Sequence, residues 1–260
     1  FPRQFYPHSE FGKEMDLSKV YSDIGIVRIN HNGLLVLINN SSPGRFTDDP
    51  FSSGSHAHSD LLSFVLSYNG TKIFIDPGSY VYTSDNSARN RYRSTMMHNT
   101  LNVDEKSQFH ISDNEIFSYS TIAEKRNLFF KENDDFVSYK GLCIGYKYLN
   151  EEITHTREFR LCKHEMILTI VDRVECSNLH HFSIHYHLHP SIKVVEDEKG
   201  LVLLAAGIEL AQLTYNSTSD CITMITDSMY SSAYGYQEKT KAIDLKFQSK
   251  GIIEISNSIA

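Results

Sequence analysis

Tryptophan is absent from these 260 residues, and basic charge is in short supply. The chain has 25 Lys and Arg against 32 Asp and Glu, for a net charge of −7. Nucleic-acid binders usually present a basic face, so that class is disfavoured. An acidic polysaccharide ligand is still compatible, because a local cluster of arginines can bind anions on an acidic protein. Long apolar runs are also missing. None approaches the roughly 18 residues of a membrane helix, so no membrane span is expected. The opening FPRQFYPHSEFGKEM holds no signal-like apolar core and does not begin with Met. It reads as a fragment or processed chain whose export signal could lie upstream. Cysteine is sparse: Cys143, Cys162, Cys176 and Cys221 are scattered, with no CxxC spacing. In surroundings such as GLCIGY they read as small buried hydrophobes and do not decide the compartment. No internal repeat, low-complexity tract, nucleophile elbow, phosphate loop or Ser-His-Asp arrangement is found.

What is plentiful is strand-like text. With 40% hydrophobic and 22% charged residues the composition is that of a soluble globular protein. The length fits one large all-β domain or two ordinary ones. Residues 1–20 are polar and weakly patterned, and read as a linker or the tail of an upstream domain. From Tyr21 onward, short apolar runs follow one another at intervals of about ten residues. IGIVRI and GLLVLINN flank a turn at His31-Asn32-Gly33. LLSFVLSYNGTKIFIDPG reads as a hairpin around Asn69-Gly70, a strong short hairpin signal. SSPGRFTDDPFSSGS is a loop by composition. MMHNTLNVD, THTREFRLC, EMILTIVDRVE and GIIEIS continue the series, and no segment shows a long helical pattern. The expectation is all-β, a large antiparallel β-sandwich over 21–260.

The 13 histidines concentrate at 56–110 and in HHFSIHYHLHP. In a strand, His56 and His58 would share one face about 6.6 Å apart. Asp76 ends the return strand of the Asn69-Gly70 hairpin, which places it near His58. His98 opens a further strand. Two imidazoles, a carboxylate and one open position would make a zinc site; a strand that merely carries histidines is the other reading. Asp60 is either an acceptor for an imidazole N–H or a solvated strand-start residue. Arg89, Arg91 and Arg93 alternate, and on an extended chain they would form a one-sided guanidinium row for carboxylates or sulfates. A solvated strand edge is the alternative. His181, His185, His187 and His189 alternate with Phe182, Ile184, Tyr186 and Leu188, the pattern of a half-buried strand with its polar side out. Glu151-Glu152 and Asp134-Asp135 read as solvated turns.

The run SHAHSDLLSFVLSYNGTKIFIDPGSYVY, with RNRYRSTMMHNTLNVD after it, resembles the signature region of the heparinase II/III-like polysaccharide lyases. That group also includes related alginate lyases. Its pattern of HxHxD, an apolar strand pair around Asn-Gly, DPG-x-Y and R-S-T-x-x-HNT is matched here throughout. The matching residues are His56, His58, Asp60, Asp76-Pro77-Gly78, Tyr80, Arg93-Ser94-Thr95 and His98-Asn99-Thr100. More loosely, YSDIGIVRI, LHP at 188–190 and SAYG at 232–235 extend the resemblance to roughly residues 21–250.

The resemblance implies a supersandwich-like β-domain that normally follows an α/α-toroid, and cleavage of uronate polysaccharides by β-elimination. It implies that His56 is an active-site histidine, and that His58, Asp76 and His98 hold a zinc ion of structural role. Arg91, Arg93 and Tyr80 would contact substrate; Asp60 and Asn99 would support the metal ligands. A periplasmic or extracytoplasmic bacterial location is implied as well. β-Elimination removes the C5 proton of a uronate and expels the C4 oxygen. Donors must neutralise the carboxylate, a base takes the proton, and an acid assists the leaving group. The toroid, which would supply the neutralising residue and the catalytic Tyr, has no counterpart in this chain. The chain is therefore expected to bind metal but to have little or no lyase activity alone. Two other readings stand beside this one. A cupin-like oxygenase expects a Glu three or four residues after the second His, where Leu61 and Leu62 stand. A non-catalytic carbohydrate-binding domain with a structural metal is the other.

Overall fold

The computed structural model describes residues 17–41, 56–112, 117–119, 123–218 and 220–260. Five antiparallel strands pair in chain order to form the first sheet: β1 (Lys19–Tyr21), β2 (Ile26–His31), β3 (Leu34–Asn39), β4 (Phe64–Tyr68) and β5 (Thr71–Phe74). Its two tight turns are the ones the sequence predicts. Asn32 and Gly33 have φ of 45° and 81°, and Asn69 and Gly70 have 48° and 79°. Two successive left-handed residues twist the turn in the sense of the flanking strands, and Asn-Gly adopts that geometry most cheaply. Along β3, Leu34, Val36 and Ile38 are buried while their neighbours are half-buried, the period-2 pattern of a strand with one face on a core.

A short helix, α1 (Asn86–Tyr92), and β6 (Leu101–Val103) lead into the second, larger sheet. It continues with β7 (Glu124–Glu132), β8 (Phe136–Gly145), β9 (Ile153–Cys162) and β10 (Ile167–His187). β11 (Ile192–Asp197), β12 (Gly200–Ala205), β13 (Ile208–Ser217), β14 (Cys221–Ala233) and β15 (Tyr236–Ile259) complete it. The order is β11-β12-β13-β15-β10-β9-β8-β7, with β14 also on β15 and β6 also on β10. Phe64 of the first sheet packs edge-on against Phe159 and Tyr186 of the second, with centroids 5.5 and 5.8 Å apart. One continuous apolar core joins the two sheets. The expected antiparallel β-sandwich is present; the described residues form two open sheets and no barrel, so the cupin-like reading falls.

A buried ionic cluster sits in this core. On β9, the inward phase of Ile153, Phe159 and Leu161 also carries His155 and Arg157; on β10, that of Leu168, Ile170 and Val174 carries Asp172. Arg157 stands directly opposite Asp172. Its Nε and Nη2 donate to the two carboxylate oxygens at 2.7 and 3.1 Å, and His155 Nε2 lies 2.6 Å from one of them. Arg157 Nη1 donates to the carbonyls of Leu62 and Asn99 at 2.9 and 2.6 Å. The cluster thus pins two of the loops that carry the motif residues, at Leu62 and Asn99.

Several expectations are corrected. RNRYR is not extended: Asp85 caps α1 by accepting from the Ala88 N–H at 2.9 Å. Helical spacing puts Arg89 and Arg93 on one face and Arg91 off it, so no three-arginine row forms. Arg89 and Arg93 are buried, and Arg91 is exposed. MMHNT is a 3-10 turn over Thr95–Met97 rather than a strand, and pairing begins only at Leu101. His56 and His58 precede β4 in irregular backbone. His185 and His187 are buried because the Thr95–Met97 turn covers that face. His187 Nε2 contacts the Met96 carbonyl at 3.0 Å, and His185 Nδ1 contacts Asp244 at 2.8 Å. Glu151 is not a solvated turn residue; it accepts from the backbone of Ser177 and Asn178 and contacts His180 Nε2 at 2.9 Å. β1 begins at Lys19, inside the stretch read as a linker; residues 1–16 and the loop at 42–55 lie outside the described residues. Among the cysteines, only Cys143 is fully buried.

Candidate active site and metal centre

Three loops converge beside the edge of the first sheet. The first runs from His56 into β4. Its irregular backbone is held by side chains of the motif itself. Thr95 Oγ1 donates to the Ser59 carbonyl at 2.6 Å, and Thr100 Oγ1 donates to the Leu61 carbonyl at 2.8 Å. Gln108 bonds both the N–H and the carbonyl of Leu61, at 2.8 and 3.0 Å. With Ser59 and Leu61 fixed, His58 and Asp60 have little backbone freedom.

The second loop is Asp76-Pro77-Gly78. Asp76 Oδ1 accepts from the Gly78 N–H at 2.8 Å, an Asx-type turn. Gly78 has φ 86°, and a Cβ there would collide with the Ser231 carbonyl oxygen; no other residue fits without displacing β14. The third loop ends the 3-10 turn at His98. Asn99, fully buried, anchors it: its Nδ2 donates to the Phe64 and Ile75 carbonyls at 2.7 and 2.9 Å, and its Oδ1 accepts from the His187 N–H at 2.6 Å. Asn99 therefore joins both sheets at the root of the site.

These loops bring His58, Asp76 and His98 together, with one ligand atom from each within 4.8 Å of the others. His98 Nδ1 lies 2.8 Å from Asp76 Oδ2. Burial and the neighbouring His98 push the His58 pKa down to about 3, which leaves a neutral imidazole whose Nε2 also meets Ser79 Oγ at 3.3 Å. The protein packed around Asp76 opposes charge on it, but His98 and the Gly78 N–H outweigh that and hold the partly exposed carboxyl at about 2. Burial also opposes charge on His98, and the Asp76 carboxylate raises its pKa regardless. His98 Nε2 is buried with no hydrogen-bond partner among the described residues. Two imidazoles and a carboxylate are the donor set of a three-ligand zinc site, so the residues fit the metal. One feature opposes a cation: Arg89 Nη1 lies 3.2 Å from His58 Nε2.

A cavity of about 300 Å³ opens next to the cluster, lined by His56, His58, Asp60, Asp76, Asn39, Ser41 and Ser79. Nearly all of these residues can hydrogen-bond. His56 is exposed, with its ring edge-on to Tyr82 at 5.5 Å. Burial, with the negative charge of Asp76, pushes Asp60 up to about 6. A larger depression of about 850 Å³, lined by Asp104, His181 and Lys246 among others, holds none of the motif residues; the chemistry converges at the smaller cavity.

The other expected site residues lie apart from this cavity. Arg93 donates to Asn90 Oδ1 and the Ser118 carbonyl at 3.0 and 3.1 Å, beneath the Tyr119 ring. Arg91 lines a different cavity, with His185 and His187. Tyr80, at φ 55°, packs its ring on Tyr92 at 5.5 Å. The guanidinium that does reach the site is Arg89, which also lies 4.8 Å over the Tyr82 ring. Helical spacing from the Asp85 cap was the signal for it.

Comparison with known proteins agrees with this architecture. The family model described as Heparinase II/III-like, C-terminal, matches residues 16–258. A heparin-sulfate lyase of Bacteroides stercoris is 30% identical over 131 residues, covering 40% of this chain and 19% of that protein. Among solved structures, a heparan sulfate lyase from Pedobacter heparinus superposes with a TM-score of 0.74 at 19% identity. A heparinase III structure gives 0.78 at 15% identity. Both alignments cover 94% of this chain and 36% of the other, and at such identities they show the fold alone. This chain thus spans about a third of those solved chains and about a fifth of the curated relative. With 243 consecutive positions matched by the family model, from 16 to 258, the chain belongs to the heparinase II/III-like family through its C-terminal domain.

Proposed function

We propose that this domain forms one wall of the active site of a polysaccharide lyase that cleaves uronate-containing chains by β-elimination. The observation that carries the reading is the exposed His56 beside a polar cavity that His58 and Asp76 of the His58–Asp76–His98 cluster also line. His56 is free to meet a sugar, either as proton carrier or as donor to the uronate carboxylate. His58, Asp76 and His98 would hold a zinc ion; bound there, it would tie the three loops together and shape the cavity. Asp60, near neutral at about 6, supplies a second group able to hold or release a proton beside His56. The buried Arg93 and the Arg89 beside His58 set the cationic background of the site without reaching into the cavity as a row.

Elimination needs a base, an acid and a carboxylate-neutralising donor together, and this cavity alone does not assemble that set. The chain by itself is therefore expected to bind acidic oligosaccharide without turning it over. The test is a titration of uronate oligosaccharide followed by the His56 ring resonances, beside the absorbance of the unsaturated product. The reading expects His56 to shift and absorbance to stay flat. Unmoved His56 resonances at saturating sugar would refute the active-site wall; rising absorbance would refute inactivity of the isolated domain.

A further inference from the structure

Beside the His56 cavity stands a strip of aromatic rings that none of the motif residues accounts for. Tyr82 lies at its centre. Tyr234 is nearly parallel to it, at 6.0 Å and 14°, and so is Phe117, at 6.5 Å and 16°. His56 meets both Tyr82 and Phe117, at 5.5 and 6.3 Å, so the strip is continuous with the cavity. Tyr234 is 66% exposed and Phe117 37%. Single exposed aromatics are ordinary, but two exposed rings aligned on a half-buried third are not.

Two of the three rings are anchored by their surroundings. Tyr234 sits at the tip of the β14–β15 hairpin, and that tip is clamped to the second site loop by backbone bonds. The Ser231 N–H donates to the Pro77 carbonyl and the Gly235 N–H to the Tyr80 carbonyl, both at 2.8 Å. Arg89 supports Tyr82 from one face at 4.8 Å. Rings fixed in advance lose little entropy when a flat ligand settles on them.

We propose that Tyr82, Phe117 and Tyr234 form a stacking platform for a pyranose ring of an acidic glycan, adjoining the sugar held at His56. The occupant follows from chemistry. The adjoining cavity is lined by hydrogen-bonding groups, which suits a hydroxylated ligand and not an apolar one. A sugar ring offers one apolar C–H face to an aromatic ring and hydroxyls to its surroundings. The proposal rests on the lyase reading and extends it to a second subsite.

The test is binding of uronate and neutral oligosaccharides of equal length to the chain, by calorimetry or ligand-observed NMR. Wild type is compared with Tyr234→Ala, Tyr234→Phe, Phe117→Ala and His56→Ala. Tyr234→Ala and Phe117→Ala should each weaken the uronate ligand about tenfold, with Tyr234→Phe close to wild type because the ring and not the hydroxyl stacks. Wild-type affinity in both alanine variants, with His56→Ala weakened, would overturn the platform and leave the lyase reading intact. Equal binding of the neutral sugar, lost in Tyr234→Ala, would support the platform and overturn the uronate reading. Absence of any sugar binding would overturn the platform, as would a dimer in sedimentation that Tyr234→Ala dissociates.

Discussion

The protein assembles histidine, aspartate and arginine twice, to opposite ends. In the core, His155, Arg157 and Asp172 lie on the inward phases of β9 and β10. Asp172 is 1% exposed, and the bidentate guanidinium takes both its oxygens. Arg157 uses its remaining nitrogen, Nη1, on two loop carbonyls. At the site, the groups stand on loops, Asp76 is 42% exposed, and the cluster opens on a cavity. Among the described residues, each cluster leaves one imidazole nitrogen without a hydrogen-bond partner, Nδ1 of His155 and Nε2 of His98. The residue types are therefore not what separates scaffold from site. The separation lies in whether the carboxylate is enclosed, and in whether regular strands or pinned loops carry the groups. The core cluster also serves the other one, because its arginine holds the carbonyls of Leu62 and Asn99.

This contrast can be broken at either end. The largest effect is expected from Arg157→Ala, which strands the fully buried Asp172 charge and two loop carbonyls. Removing one partner of such a pair costs about 3–5 kcal/mol, and urea denaturation should show it; a loss within about 0.5 kcal/mol would mean the cluster is not structural. Next comes acid. Burial and the nearby His185 hold His187 down to about 3 in the folded chain, against about 6.5 when unfolded. The unfolded chain binds the extra proton between those values. Stability from this group is thus fully present above about 6.5 and declines as pH falls toward 3, by a few kcal/mol in all. A His187→Gln variant should flatten that part of the pH–stability curve; an unchanged slope would place the titration elsewhere. Gly78→Ala follows, with an expected loss of about 1–3 kcal/mol from a forced left-handed backbone and a collision with β14. Thermal melting checks it, and the shift should be accompanied by weaker metal binding because Asp76 moves. The smallest stability effect is expected for metal-free His58→Ala, about 1 kcal/mol, since His58 is half-buried at a cavity wall where water can take the place of the ring. A large loss there would mean that His58 belongs to the scaffold.

Most of the architecture was legible in the sequence, because two Asn-Gly turns and period-2 burial leave little choice of register. The association of His58 with Asp76 followed from counting back across the Asn69-Gly70 hairpin. What failed had local causes. Alternating arginines look the same on a strand and on a two-turn helix, and only the Asp85 cap distinguished them. The polar phase of HHFSIHYHLHP reads as solvent-facing until the Met96 turn is laid over it, a contact distant in sequence. Arg157 and Asp172 went unmarked in the sequence, although period-2 counting puts both charges on the inward phases of neighbouring strands. The aromatic strip joins residues 82, 117 and 234, which no local pattern connects.

The most direct measurement is zinc content of the purified chain after loading and gel filtration. Wild type and His187→Gln are set beside His58→Ala and Asp76→Ala, with circular dichroism as a check of folding. About one zinc per chain is predicted in the first two, lost in the last two with the fold retained. A folded wild-type chain that takes up no zinc, or site variants that keep it, would contradict the assignment of the open cluster as a metal centre.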